Sequence, residues 1–208
     1  MFNVSVLYSI QFEINRVVDT FRQIDWLQEN KYIVTLPIRL KVLYENRVLA
    51  DDIESVVQEE FAENYYQESK DFLFKSWEEA LSQAAIELAK TDLTTLHKYK
   101  IFLTRYGTGG SYHSPNEIII NIELIPKDDL LRDTIHEIVH LTIQSLIDLH
   151  HVNHWPKERL VDLIVAKISP SLINFQNLPI DTNAIDNIFA KNYPKVQQII
   201  QDVAKLNI

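Results

Sequence analysis

The 208-residue chain has no cysteine, a single methionine at Met1 and only three glycines. Without cysteine there is no disulfide framework and no thiolate metal site, a composition that fits a reducing compartment. The three glycines, Gly107, Gly109 and Gly110, fall within four positions, so the φ-permissive backbone is concentrated in one turn. That turn either just needs a positive φ or forms a mobile lip over a cleft. Long apolar runs are also missing, and no stretch approaches the roughly 20 residues of a membrane span. The first sixteen residues, MFNVSVLYSIQFEINR, lack a basic n-region, an adequate apolar run and a small-residue cleavage site. The expectation is a cytoplasmic protein without membrane partners, although signal-independent export leaves no trace in a sequence. Positive charge is scarce as well. Twenty Lys and Arg stand against 29 Asp and Glu, a formal net charge of −9, which argues against general nucleic-acid binding.

With 46% hydrophobic residues, the chain can bury a full core. The division expected is an N-terminal α/β portion over residues 1–95 and a catalytic domain over 96–208, or one continuous domain. Apolar spacing predicts a helix over residues 12–28, then an extended β-branched run over 32–43. An acidic amphipathic helix is expected over 50–68. Another is expected over 76–90, opened by the capping box Ser76 to Glu79. Residues 99–106 and 117–124 read as a β-hairpin beside the helix that follows. That helix is expected to start at Pro126 or Lys127, with Asp128 and Asp129 in its first turn. A fourth helix runs from near Pro156 to just before Ser169-Pro170.

The chemistry is concentrated in residues 136–140, His-Glu-Ile-Val-His. On a helix, positions i and i+4 share one face about 6 Å apart, so His136 and His140 can meet on one metal ion while Glu137 is turned about 100° away, towards a water. Eighteen positions after His140 stands Glu158, and one helical turn later Asp162. A catalytic zinc takes three protein ligands. Glu158 can supply the third, and Asp162 can accept the free N–H of a ligand histidine. Competing readings are a hydrogen-bonded core pair for the two histidines and a solvated helix-face charge, beside Lys157 and Arg159, for Glu158. If the metal helix continued to His151, little chain would remain to bring Glu158 back. It is therefore expected to end near residue 147, or the loop from His150 to Trp155 to run back along it.

The pair His-Glu-x-x-His and Glu-x-x-x-Asp resembles the gluzincin metallopeptidases, relatives of thermolysin and the M1 aminopeptidases, and in its shortness the minimal minigluzincins. The resemblance covers about residues 98–168. It implies an α+β fold, with a small sheet packed on the active-site helix and a following glutamate helix. It also implies Zn²⁺ on His136, His140 and Glu158, Glu137 as general base, Asp162 in support, and a peptide or protein substrate. Gluzincins aim a phenol or imidazole at the tetrahedral oxyanion, for which Tyr112, His113 and Tyr193 are the candidates here. His150, His151 and His154 either offer a spare ligand or form a wet helix end. The strand 117–122 corresponds to the edge strand that receives extended peptides, unless it is internal. The chain departs from the larger members: it has no Gly-x-Met-Glu-Asn motif and no Asn-Ala-x-Trp strand. It is not a metzincin either, since position 146, where a third histidine would stand, is Leu. The function expected is zinc-dependent peptide hydrolysis. The alternatives are a latent or dedicated processing protease or toxin that needs activation, and a non-enzymatic, metal-stabilised interaction domain.

Overall fold

Alternation of side chains builds the central sheet. Strand β2 (Lys98–Thr104) sends Tyr99, Ile101 and Leu103 into the main core. On the opposite face, Phe102 stacks on Phe12 of helix α1 (Ile10–Arg22), with ring centroids 4.6 Å apart. Strand β1 (Asn3–Leu7) pairs parallel with one edge of β2, Val4 opposite Tyr99, and β4 (Glu117–Asn121) pairs parallel with the other, Ile119 opposite Phe102. Strand β3 (Gly110–His113) runs antiparallel to β4 and closes the order β1-β2-β4-β3. These features come from a computed structural model that describes residues 3–46 and 52–206, and the fold is α+β.

Several expectations need correction. The segments 99–106 and 117–124 are neighbours but not a hairpin. The glycine-rich connection is long enough to carry β3, so the chain reverses twice and returns β4 parallel to β2. Ile118, Ile119 and Ile120 are all buried, as an internal strand requires, and the edge is β3. Residues 32–43 form no strand. Pro37 cannot donate to a ladder, Ile33 and Ile38 face solvent, and pairing is limited to an isolated bridge from Thr35 to Gly107. The first helical stretch is broken at Gln23 (φ −104°, ψ 13°) into α1 and α2 (Ile24–Glu29). Helix α3 (Lys41–Glu45) occupies the end of the supposed extended run. The acidic stretch forms α4 (Ile53–Glu60), which stops at extended Phe61; its expected start at Ala50 lies outside the described residues. Helix α5 (Asn64–Leu88) passes uninterrupted through Ser76, so the Ser-x-x-Glu string caps nothing there. Instead Tyr66, Leu73, Trp77, Leu81, Ala84 and Leu88 form its buried stripe.

The main core draws on both halves of the sequence. Val6 and the α5 stripe join the sheet and helices α6 (Leu130–His150), α7 (His154–Ile168), α8 (Asn183–Asn192) and α9 (Val196–Val203). A smaller cluster of Ile14, Val17, Phe21, Leu36, Leu40, Val56 and Val57 packs α1 against α4 and the segment before α3. None of the helices among the described residues is long and apolar enough to cross a membrane.

Glu13 ties these layers together. Fully buried, its Oε1 accepts from Tyr66 Oη at 2.5 Å and Arg105 N at 2.8 Å, and its Oε2 from Thr104 Oγ1 at 2.5 Å. Burial raises the Glu13 pKa against the opposing pull of these bonds. Replacing Glu13 by Ala removes the acceptor of three donors, of which Thr104 Oγ1 alone has another, Tyr106 O at 3.2 Å, and should destabilise the protein by about 2–4 kcal/mol. Urea denaturation checks this; a loss below ~0.5 kcal/mol would show that water or a shifted side chain takes over the three bonds.

Candidate metal centre

A single 3-10 turn, Lys127–Asp129, leads from β4 into α6, so the helix proper starts at Leu130, slightly later than expected. It also runs past residue 147, to His150. The chain then reverses at His151, whose left-handed backbone (φ 53°, ψ 42°) lets the amide of Val152 reach back to Ile147 O at 3.1 Å. Only three residues separate the helices. Helix α7 begins at His154, two residues before Pro156, and packs against α6.

This helical pair brings three nitrogen and oxygen donors to one point. His136 Nε2 and His140 Nε2 are 3.0 Å apart, and Glu158 Oε2 lies 3.6 Å from the first and 3.3 Å from the second. A tetrahedral ion with ligand bonds of about 2.0–2.1 Å requires its donor atoms to be about 3.3 Å from one another, and the three separations straddle that value. A core histidine pair accounts for only one of them. Among the described residues no fourth His, Cys or acidic donor joins the group, so the set matches an open site rather than a closed structural one.

The surroundings orient each donor. Asp162 Oδ1 stands 3.6 Å from His136 Nδ1, on the side of the ring away from Glu158, which is the position expected of a carboxylate that fixes the tautomer. Its Oδ2 accepts from the backbone N–H of Gln176 at 2.9 Å, and the Gln176 amide reaches both Glu158 Oε2 and Asp162 Oδ1 at 3.4 Å. Lys157 Nζ is 3.2 Å from Glu158 Oε1, so the two oxygens of Glu158 are divided between the histidines and an ammonium. Lys157 also donates to Tyr112 Oη at 3.3 Å. Tyr112 in turn donates to Gln144 Oε1 at 2.6 Å and stacks on the His140 ring, 4.8 Å between centroids and 12° between planes. His154 contributes at the margin, with Nδ1 3.7 Å from Glu158 Oε1.

Glu137 points elsewhere. It is buried, with Oε2 unpartnered, and its Oε1 packs so closely on Gly110 that a Cβ there would collide with it. Burial pushes its carboxyl up to about 7, despite the opposing influence of His136. Burial also takes His140 down to about 4, which leaves its ring neutral and ready to donate a lone pair. For His136 the same burial is outweighed by Glu158, Glu137 and Asp162, which hold it above its ordinary value. Burial would raise Glu158, but its bonds to the two histidines and the charge of Lys157 keep it well below the usual carboxylate range.

Of the oxyanion candidates, only Tyr112 is at the centre. His113 ends β3, exposed, opposite Glu117 in the register. Tyr193 caps α8 on Phe189, with the Lys167 ammonium over its ring and Glu87 nearby, and none of its contacts is to a metal-centre residue. Lys157, Gln144 and Gln176 were not singled out from sequence. Lys157 stands beside Glu158 as an ordinary helix-face charge would, and Gln176 belongs to an irregular segment that nothing marks in advance. Gly110 did leave a signal, in the clustering of the glycines.

A scan against protein-family models gave no match, and neither did searches of curated proteins and of solved structures.

The donor set should bind one zinc ion per chain, and Asp162→Ala should weaken that binding about 10- to 100-fold. Binding must displace any proton on His136. Because its pKa is raised, affinity should fall as the pH drops through that value and level off above it. Chelator competition at several pH values measures both effects; an affinity that ignores both Asp162 and pH would contradict this arrangement.

Proposed function

We propose that the protein is a zinc-dependent peptidase of gluzincin type. The observation that carries this reading is the convergence of His136 Nε2, His140 Nε2 and Glu158 Oε2 beside a buried, unpartnered carboxylate oxygen of Glu137. A zinc ion held by these three residues supplies a Lewis acid that polarises a scissile carbonyl and makes water acidic near neutral pH. Glu137, with its carboxyl near 7, is matched to taking a proton from that water and returning it to the leaving amine. Its enclosure excludes bulk solvent. Tyr112 and Lys157 place a hydroxyl and an ammonium on the His140 side, where donors to a developing oxyanion are needed. Among the described residues β3 ends the sheet and packs on α6, so an extended peptide added to that edge would lie near these groups.

The three-donor set favours chemistry over a purely structural metal site, which would use four protein ligands. A latent form of the same peptidase is the second reading. It is favoured by the low exposure of Glu137, His140 and Glu158, at 7%, 3% and 8%. Activity that appears only after limited proteolysis or partner binding would select it.

Glu137→Gln should keep one zinc per chain and lower turnover about 10²- to 10⁴-fold. Gly110→Ala should act in the same direction by forcing the Glu137 carboxylate from its place. Peptide-library cleavage followed by mass spectrometry, with zinc measured in the same samples, checks both. Hydrolysis by Glu137→Gln at the wild-type rate would contradict the mechanism.

A further inference from the structure

The glycine loop touches Glu137 at one end and a second polar site at the other. Gly107 has φ +83°, and a Cβ there would collide with the Arg16 guanidinium, so Arg16 of α1 lies flat against the start of the loop whose far end, Gly110, lies against Glu137. Arg16 donates from Nε to Tyr106 O at 3.4 Å and from Nη2 to Thr108 Oγ1 at 3.1 Å. These bonds occupy two of its five N–H groups and leave three without an acceptor among the described residues. No described carboxylate forms an ion pair with it, although the chain carries 29 acidic residues. Asp19, Glu13 and Glu137 nevertheless lie close enough to act on the guanidinium electrostatically, without a direct bond to it.

The unused N–H groups have somewhere to go. Arg16 borders a cavity of about 30 Å³ lined also by Thr20, Gln23, Leu27 and Thr108. Such a space admits the two oxygens of a carboxylate. Thr20 offers it no proton, because its hydroxyl donates to Arg16 O at 2.8 Å. The Thr108 hydroxyl accepts from Arg16 and keeps its own proton, and the Gln23 side chain lines the same space with an amide that can donate or accept. The space therefore holds the free N–H groups of Arg16 and the Thr108 hydroxyl proton, around a planar cation whose fork matches a carboxylate in two-point geometry.

We propose that Arg16, Thr108 and Gln23 form a substrate subsite that takes a peptide carboxylate beside the reacting centre, which makes acidic peptides the preferred substrates. This rests on the peptidase reading and narrows its substrate class. The carboxylate belongs either to an Asp or Glu side chain near the scissile bond or to the C-terminus of the peptide.

Two measurements test the proposal separately from hydrolysis and through it. In the metal-free protein, the Arg16 Nε–H resonance should shift on titration with N-acetyl-glutamate amide or N-acetyl-alanine, the first carrying a side-chain and the second an α-carboxylate. It should not shift with neutral N-acetyl-glutamine amide. No shift with either acid, or an equal shift with the neutral probe, overturns the subsite. In the zinc-loaded protein, peptides that differ only by Glu or Gln at one position, each with a free or amidated C-terminus, identify which carboxylate is read. The acidic member should be preferred about 10- to 100-fold in kcat/KM. That ratio should fall towards one in Arg16→Gln and be partly restored in Arg16→Lys; an unchanged ratio overturns the proposal. If the wild type cleaves no peptide, the peptidase reading fails, and the resonance titration still decides the subsite. If Arg16→Gln does not fold, the wild-type titration and the Arg16→Lys ratio carry the decision.

Discussion

Buried charge that must be compensated governs the centre of this molecule. Glu137, Glu158 and Asp162 are all sequestered between the sheet and the helical hairpin, against a single ammonium from Lys157. The carboxylates outnumber the cations that face them, Lys157 beside Glu158 and Arg16 near Glu137, and isolated charges in a low-dielectric space cost several kcal/mol each. The two imidazoles offset part of this by facing Glu158. The donor atoms are already spaced for a divalent cation, which would cancel the remainder. Burial, with the charges of Glu158 and Asp133 adding to it, is why Glu137, which faces away from that point, has its carboxyl pushed up to about 7. One electrostatic constraint thus underlies both the converging donor set and a carboxyl poised near neutral pH.

The fold serves this constraint by rigid placement. Helix α6 carries three of the five key residues on one element. The left-handed turn at His151 returns α7 so that Glu158 and Asp162 meet successive turns of it. Strand β3 covers the site from the sheet side, with Gly110 under Glu137 and Tyr112 on His140. The N-terminal segment joins in through the backbone pairing of Thr35 with Gly107, with N–H···O distances of 3.0 and 2.8 Å. The glycine loop is therefore held from both sides.

The clustering of His136, His140 and Glu158 was legible because a helical period converts sequence spacing directly into a shared face. His136 and His140 needed only that α6 be a helix, and Asp162 needed only that it follow Glu158 by one turn. The internal character of β4 was legible for a related reason: three consecutive isoleucines leave no polar face. What sequence did not reveal depends on chain reversals. The reading of 99–106 and 117–124 as a hairpin failed because the glycine segment holds a strand, and the supposed strand at 32–43 failed at Pro37. Tyr193 and Tyr112 are equally plausible phenols in sequence, yet only the pairing of β3 with β4 brings one of them to His140. Lys157 and Gln176 act through contacts between separate elements and leave no periodic trace.

The central claim is that His136, His140 and Glu158 hold a catalytic zinc with one position left open. Anomalous diffraction at the zinc edge from crystals grown with the metal tests it most directly. The account predicts one anomalous peak, about 2.0–2.2 Å from His136 Nε2, His140 Nε2 and Glu158 Oε2, with its fourth position taken by solvent on the Glu137 side. A peak closed by four protein ligands, or zinc bound only elsewhere on the chain, would contradict it.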